Sequence, residues 1–146
     1  MRDYRELIVY QIAYDLVLQV YAIMPFLPEY EQKNIADQMR RSATSLAINI
    51  AEGTGANSNK VFFNHLTYAY SSAKELGVLI DLCKDLKYIN EETHQKLKDK
   101  NETFKAKMYK YLVTLEENLI TKQWHAFFSQ KNQSAAQRIK QGILPK

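Results

Sequence analysis

The sequence has few of the residues that make turns or covalent cross-links. Among its 146 residues are four glycines, three prolines and one cysteine. A lone Cys83 leaves no internal disulfide to form and is typical of a reducing compartment. With 46% apolar and 25% charged residues, this composition predicts few turns and long elements, and hence an all-α fold. A chain of this length can bury a core as one domain.

Long apolar runs and secretion signals are also missing. No uninterrupted apolar run reaches 18 residues, and the chain opens with the charged stretch MRDYRE. A membrane-spanning helix needs about 20 mostly apolar residues, and a signal peptide needs an apolar segment after a short basic start. We therefore expect a cytoplasmic protein without a membrane partner.

Motifs for catalysis and for metal binding are absent as well. His65, His94 and His125 lie far apart, and no HExxH or CxxC spacing occurs. The GTG at 53–55 lacks the Lys-Ser/Thr that completes a phosphate-binding loop. The expectation is a protein with no catalytic residue, no metal and no cofactor, and an enzyme without a recognisable motif is the weakest alternative.

Helical periodicity fills most of the chain. Apolar residues recur every three or four positions in four segments, at about 4–24, 29–52, 59–87 and 90–120. Pro25 and Pro28 end the first segment, Gly53 is a left-handed closing residue for the second, and Ser58 and Asn90 are the N-caps of the third and fourth. Short connections place consecutive helices antiparallel. The prediction is an all-α, antiparallel up-and-down four-helix bundle at 1–120, followed by a basic C-terminal extension at 121–146, partly disordered or loosely helical.

The first and fourth helices carry the clearest apolar rows. In the first helix one row is Leu7, Ile8, Ile12, Leu16, Val20 and Ile23, and a second is Tyr10, Tyr14, Val17 and Tyr21. In the fourth, the inward row is Leu97, Asn101, Phe104, Met108, Tyr111, Leu115 and Leu119. The first helix is thus apolar over more than half of its circumference, which indicates either deep packing or contact with a second subunit.

The second helix carries a row of short polar side chains beside its apolar stripe. The row consists of Gln38, Arg41, Ser45, Asn49 and Glu52. Short polar residues are disfavoured in helix interiors, so this row is expected to face the third helix. Residues opposite each other across the turn have numbers that sum to about 112, which predicts a partly buried Arg41–Glu75 ion pair completed by Ser71 or Ser72. Glu52 would lock the turn.

Positive charge is concentrated at the C-terminus. Residues 1–117 hold 15 basic and 16 acidic residues, whereas residues 118–146 hold five basic residues and no acidic one. Candidate nucleic-acid contacts are Arg40, Lys60, Lys122, Lys131, Arg138 and Lys140. Arg40 lies on the side away from the polar row and would make a contact with another subunit or a ligand. Arg41 would instead stabilise the fold. Solubility or linker character is the simpler explanation of so sparse a tail charge.

Three stretches together resemble one known family. They are LIVYQIAYDLVLQVY, FLPEYEQKNIADQMRRSATSLAINIAEG and SSAKELGVLIDLCKDLKYI. Over residues 4–120 the chain resembles the bacterial four-helix bundle proteins encoded within intervening sequences of large-subunit rRNA genes. That family is similar in fold to the accessory variability determinant proteins of diversity-generating retroelements. The chain departs from the pattern in its turn at 54–59, which is uncharged where relatives carry basic residues, and in its longer tail.

The resemblance also implies a particular assembly and particular partners. It implies a homo-oligomer, as a pentamer, with RNA or DNA and a protein such as a reverse transcriptase as candidate partners. The expected function is a non-enzymatic scaffold or adaptor associated with nucleic acid. The alternative is a protein-interaction module without nucleic-acid binding, which would use the tyrosines of the first helix or the aromatic cluster at Trp124, Phe127 and Phe128.

Overall fold

The computed structural model describes residues 3–119 as four helices joined by short connections. The helices are α1 (Ile8–Ile23), α2 (Ile35–Thr54), α3 (Asn59–Asp85) and α4 (Glu91–Leu119). Single 3-10 turns lie at Tyr4–Glu6, Met24–Phe26 and Glu29–Glu31, and residues 3–119 contain no strand. The predicted all-α four-helix bundle is confirmed. The predicted extension at 121–146 lies outside the described residues.

The two predicted N-caps at the bundle ends are confirmed. The Val61 amide donates to the Ser58 hydroxyl (3.2 Å), and the Thr93 amide donates to the Asn90 side chain (2.8 Å). Each bond satisfies an amide that the first turn of the helix leaves without a partner. The connection after α3 also places Lys87 in the left-handed region, at φ 64°.

The start of α2 differs from the prediction. The helix begins at Ile35 rather than near Glu29, because the backbone leaves the helical region at Asn34. The Gln32 amide group donates to the carbonyls of Met24 and Leu27 and holds the preceding loop against α1 (3.2 Å each). Glu31 is therefore buried, and accepts a hydrogen bond from the Tyr88 hydroxyl (3.3 Å) instead of lying in an exposed first turn.

The core is built mostly from the predicted apolar stripes. Fully buried side chains from all four helices include Leu16, Met39, Leu46, Ile50, Leu66, Leu76, Ile80, Leu97, Phe104 and Met108. In α1 the predicted row is correct at Leu7 but wrong at Ile8, which is 59% exposed, while Val9 and Ala13 are buried instead. In α4 the predicted row shifts after Met108, where Leu112 and Glu116 are fully buried and Tyr111 and Leu115 only partly so.

A charged contact shows the register of α1 against α4. The Lys100 ammonium pairs with the Asp15 carboxylate, which also accepts from the Gln19 amide (2.9 Å). At 1.5 Å per residue, α1 spans about 24 Å and α4 about 44 Å. From this register, α4 runs on past the first residue of α1 by several turns.

Helix α1 is apolar beyond what the core requires. The stretch Ile8–Phe26 is long and apolar enough to cross a membrane by length and composition, and a third of it is buried. Asp15 is its only charged residue and interrupts the apolar run. A buried bundle helix meets the same criteria, and α1 does supply Ala13, Leu16 and Val20 to the core.

Candidate functional site

Part of the polar row of α2 does face α3. The hydroxyls of Ser45 and Ser72 lie 2.9 Å apart. The Asn49 amide donates to the Ser45 hydroxyl (2.9 Å) and to the Ser45 carbonyl (3.0 Å), and the Asn49 oxygen lies 3.1 Å from His65 Nδ1. Half-buried polar atoms are thus linked across the helix pair, which offsets the cost of their partial removal from water.

The other members of the row do not join this network. Gln38 donates to the Asn34 side chain (3.0 Å), and Arg41 pairs with Asp37 one turn earlier on α2 (3.4 Å). The Arg41 side chain is 73% exposed and Glu75 is also exposed. The predicted partly buried Arg41–Glu75 ion pair is therefore wrong, because an exposed guanidinium gains little by crossing the interface when a carboxylate lies nearby on its own helix.

Glu52 and Gly53 have roles different from those predicted. Glu52 is exposed, and its carboxylate lies 3.9 Å from His65 Nδ1, so its contact across the turn is weak. Gly53 is buried and helical rather than a left-handed closing residue, since α2 continues to Thr54. A Cβ at Gly53 would lie 2.9 Å from Phe62 Cδ2 and 3.0 Å from His65 Cβ. Gly53 thus allows α2 and α3 to approach closely.

The expected roles of Arg40 and Arg41 are reversed. The Arg40 guanidinium donates to the Gln32 carbonyl (2.8 Å) and side chain (3.4 Å) and lies 3.5 Å from Met24 Sδ. It therefore ties α2 to the loop after α1, and a role in nucleic-acid contact would compete with these bonds. Arg41 is the residue directed to solvent.

The remaining basic candidates divide between the body and the tail. Lys60 is exposed in the first turn of α3. Lys122, Lys131, Arg138 and Lys140 lie outside the described residues, as does the aromatic cluster at Trp124. Of the candidate nucleic-acid contacts, then, the described surface contains Arg40 and Lys60.

His65 is the member of the network that the sequence analysis missed. The sequence analysis could have predicted this contact, because residues opposite each other across the α2–α3 turn have numbers that sum to about 112. The numbers 49 and 65 sum to 114, which is close to that value. His94 likewise has a structural partner, since its Nε2 lies 2.8 Å from Asp81 Oδ1. Within residues 3–119, no three His, Cys, Asp or Glu residues are arranged to hold a metal ion.

An outward apolar surface lies along α1 and the adjoining part of α2. We call Tyr14, Leu18, Tyr21 and Ile48 the α1 face; each of these side chains is about half exposed. Beside it is a groove of about 230 Å³ between α1 and α2, lined by residues that include Tyr10, Val17, Ala47 and Ala51. The rings of Tyr10 and Tyr14 lie 6.1 Å apart, and that of Tyr4 packs edge-on against Tyr10 at 4.9 Å. Contiguous exposed apolar residues of this kind are typical of contact surfaces.

Comparisons with known proteins place the chain in one family. No protein with a curated description matches its sequence. The structure is similar to a crystal structure described as a protein with unknown function from the S23 ribosomal protein family of Bacteroides thetaiotaomicron, with a TM-score of 0.66 and 24% identity. The likeness covers 72% of this chain and 98% of the other, and it supports the fold. Residues 5–110 match the family model described as 23S rRNA-intervening sequence protein, and the chain therefore belongs to that family.

Proposed function

We propose that this protein is a non-enzymatic, cytoplasmic scaffold or adaptor that acts as a homo-oligomer. The observation that carries the proposal is the α1 face. One side of α1 fills the core, and the opposite side presents Tyr14, Leu18 and Tyr21, each about half exposed. Burial of aromatic and aliphatic side chains is the main favourable term in protein association.

The polar network between α2 and α3 supports a structural role for that helix pair. Ser45, Ser72, Asn49 and His65 use their hydrogen-bonding groups on one another. The same side chains are therefore engaged within the fold rather than arranged around a substrate. This favours binding through a surface over chemistry in a cleft.

A pentamer is the assembly implied by the family resemblance, and sedimentation equilibrium tests it. The expected mass is five times the 17.0 kDa of one chain. Leu18→Glu places a charge at the centre of the α1 face and should yield a monomer with unchanged helical circular dichroism. Tyr68→Glu is the matched control, because Tyr68 is also an exposed apolar residue but lies on α3. A wild-type monomer at micromolar concentration would contradict the proposal.

Nucleic-acid association is a second candidate function, and the charge of residues 118–146 favours it. Truncation after Gln130 removes Lys131, Arg138, Lys140 and Lys146. If these residues bind phosphates, truncation should weaken RNA or DNA binding and reduce its dependence on salt by roughly one unit of slope for each phosphate that is no longer bound. Binding that survives truncation with the same slope would assign the site to the body. No binding at all would favour the alternative, an interaction module for a protein partner.

A further inference from the structure

A polar groove lies between α3 and α4 and shares no residue with the α1 face. Its volume is about 310 Å³. Small-molecule sites have volumes of about 300–1,000 Å³, so the groove is large enough for a small ligand. Residues one turn apart on each helix form its two walls, namely Lys74, Gly77 and Asp81 on α3 and Lys98, Asn101 and Lys105 on α4.

Asn101 supplies a buried polar atom at the floor of the groove. The residue is 1% exposed, and its amide nitrogen donates to the Ala73 carbonyl (2.9 Å). Its amide oxygen accepts from no group of residues 3–119. Exchange of the two atoms would set this oxygen against the Ala73 carbonyl oxygen, so the orientation of the amide is fixed. Because a buried acceptor without a donor is unfavourable, Asn101 Oδ1 is suited to accept a hydrogen bond from a molecule in the groove.

Gly77 keeps the space beside this amide open. A Cβ at Gly77 would lie 3.3 Å from Asn101 Nδ2. Glycine is also less favourable than alanine inside a helix, so its presence here does not help α3 to form. Gly77 gives a molecule in the groove access to Asn101 that any larger residue would reduce.

The carboxylates of the groove have partners within the protein. Asp81 Oδ1 lies 2.8 Å from His94 Nε2, and Glu102 Oε1 lies 2.8 Å from the Lys105 ammonium. The lining contains three lysines and these two acidic residues, so its charge is positive overall. A positively charged concavity attracts anions, and the groove therefore favours an anionic ligand.

Two of the lysines lie opposite each other at one end of the groove. The rings of Tyr70 and Tyr109 pack with their centroids 5.7 Å apart and align α3 with the antiparallel α4. Lys74 lies one turn after Tyr70, with its ammonium 5.1 Å from the centre of that ring, and Lys105 lies one turn before Tyr109. The two side chains are therefore on facing walls. A phosphate group suits this position, because it carries almost two negative charges near pH 7 and has three strong acceptor oxygens.

We propose that this groove binds a small organic phosphate. The phosphate group lies between Lys74 and Lys105, and a hydroxyl or amino group of the same molecule donates to Asn101 Oδ1. Lys74 and Gly77 are about 4.5 Å apart along the axis of α3, so the two contacts are about one helical turn apart. Sugar phosphates and nucleoside monophosphates both carry donor groups within a few bonds of the phosphate. They share the chemistry that the groove recognises.

Isothermal titration calorimetry of the full-length protein with four probes tests this proposal. Adenosine 5′-monophosphate and glucose 6-phosphate contain both groups, whereas adenosine lacks the phosphate and inorganic phosphate is too small to reach from the lysines to Asn101. One of the two organic phosphates should bind more tightly than inorganic phosphate and adenosine do, and which one binds tells a nucleotide site from a sugar phosphate site. If neither binds at millimolar concentration, the proposal is overturned. Equal affinity for inorganic phosphate would mean attraction by charge alone and would overturn the role of Asn101.

A pair of lysine substitutions locates the phosphate. Lys74→Gln should weaken binding of the organic phosphate by about tenfold, the effect of losing one charge-assisted contact. Lys96→Gln is the matched control, because Lys96 is exposed on α4 but does not line the groove, and it should leave the affinity unchanged. An equal effect of the two substitutions would place the phosphate elsewhere and overturn the assignment.

Gly77→Ala tests the other end of the ligand. The variant is expected to fold, because alanine is the better helix former, and circular dichroism checks this. Its methyl group reduces access to Asn101, so the organic phosphate should bind more weakly while the affinity for inorganic phosphate stays the same. Ser71→Ala, at an exposed position of α3 outside the groove, is the control. Wild-type affinity in a folded Gly77→Ala variant would overturn the contact with Asn101. None of these results depends on oligomerisation through the α1 face, so failure of either proposal can be recognised separately.

Discussion

Asn49 on α2 and His65 on α3 are joined by a hydrogen bond across the helix pair, with Asn49 Oδ1 3.1 Å from His65 Nδ1. Since the Asn49 amide nitrogen donates to Ser45, the oxygen is the acceptor, and His65 carries its hydrogen on Nδ1. This bond and the Ser45–Ser72 contact link the two helices near Gly53, where α2 and α3 approach each other closely.

The first prediction concerns this bond. Asn49→Ala removes hydrogen bonds to both Ser45 and His65 and should lower the free energy of unfolding by about 1–2 kcal/mol. Urea denaturation followed by circular dichroism measures the change. Asn64→Ala, at an exposed position of α3, is the control and should change stability by less than about 0.5 kcal/mol. Equal effects of the two substitutions would mean that the network does not contribute to stability.

The second prediction compares two adjacent arginines that carry the same charge. Arg40→Ala breaks the charge-assisted bond to the Gln32 carbonyl and should cost about 1–3 kcal/mol of stability. Arg41→Ala removes only an exposed pair with Asp37 and should stay within about 0.5 kcal/mol. Thermal or chemical unfolding of both variants provides the test. A larger loss for Arg41 than for Arg40 would restore the roles expected from the sequence.

The third prediction uses the left-handed backbone of Lys87. At φ 64° a side chain is strained, whereas glycine adopts this conformation readily and is common just after a helix. Lys87→Gly should therefore raise the free energy of unfolding, by up to about 1 kcal/mol. Lys84→Gly, inside the last turn of α3, makes the same chemical change in a helical position and should lower it by about 1 kcal/mol. If both glycines destabilise, strain at Lys87 is not significant.

The fourth prediction follows from the buried thiol of Cys83. Burial, with a smaller contribution from the Glu31 carboxylate, raises the pKa of Cys83 from 9.0 to about 11. The folded state then holds its proton at a pH where the unfolded chain has released its own. Stability should consequently fall as the pH rises from about 9 to 11, by roughly 1.4 kcal/mol for each unit of pKa difference.

Comparison with Cys83→Ala isolates this effect, because tyrosines also titrate in that range. Burial raises the pKa of Tyr70, and the hydrogen bond between the Tyr88 and Tyr30 hydroxyls raises that of Tyr88, so both tyrosines contribute in the same direction in either protein. The variant is expected to lose less stability between pH 8 and pH 10.5 than the wild type does, by roughly the Cys83 contribution. Parallel pH dependence in the two proteins would contradict a thiol that stays protonated in the fold.

The sequence by itself determined the class of fold and most of its boundaries. Apolar periodicity identified four helices, prolines and polar turn residues separated them, and Ser58 and Asn90 identified two helix starts, because these signals are local and act within one turn of the chain. Connections as short as the one before Ser58 also leave an antiparallel neighbour as the only arrangement. The family resemblance rested on the same segments.

Tertiary structure alone decided the rotation of the helices and the choice of polar partners. Where a helix is apolar over more than half of its circumference, periodicity leaves its rotation open, and packing against α2 and α4 turned Val9 inward and Ile8 outward. In α4 a heptad-like row was extrapolated, but α4 runs past the start of α1, so its neighbours change beyond Met108 and the buried position moves from Tyr111 to Leu112. Ser45 pairs with Ser72 and Asn49 with His65, whereas Arg41 pairs with Asp37 on its own helix. Such pairs depend on the separation of the two helices and on the exposure of each side chain, and differences smaller than the rise of one residue decide between partners.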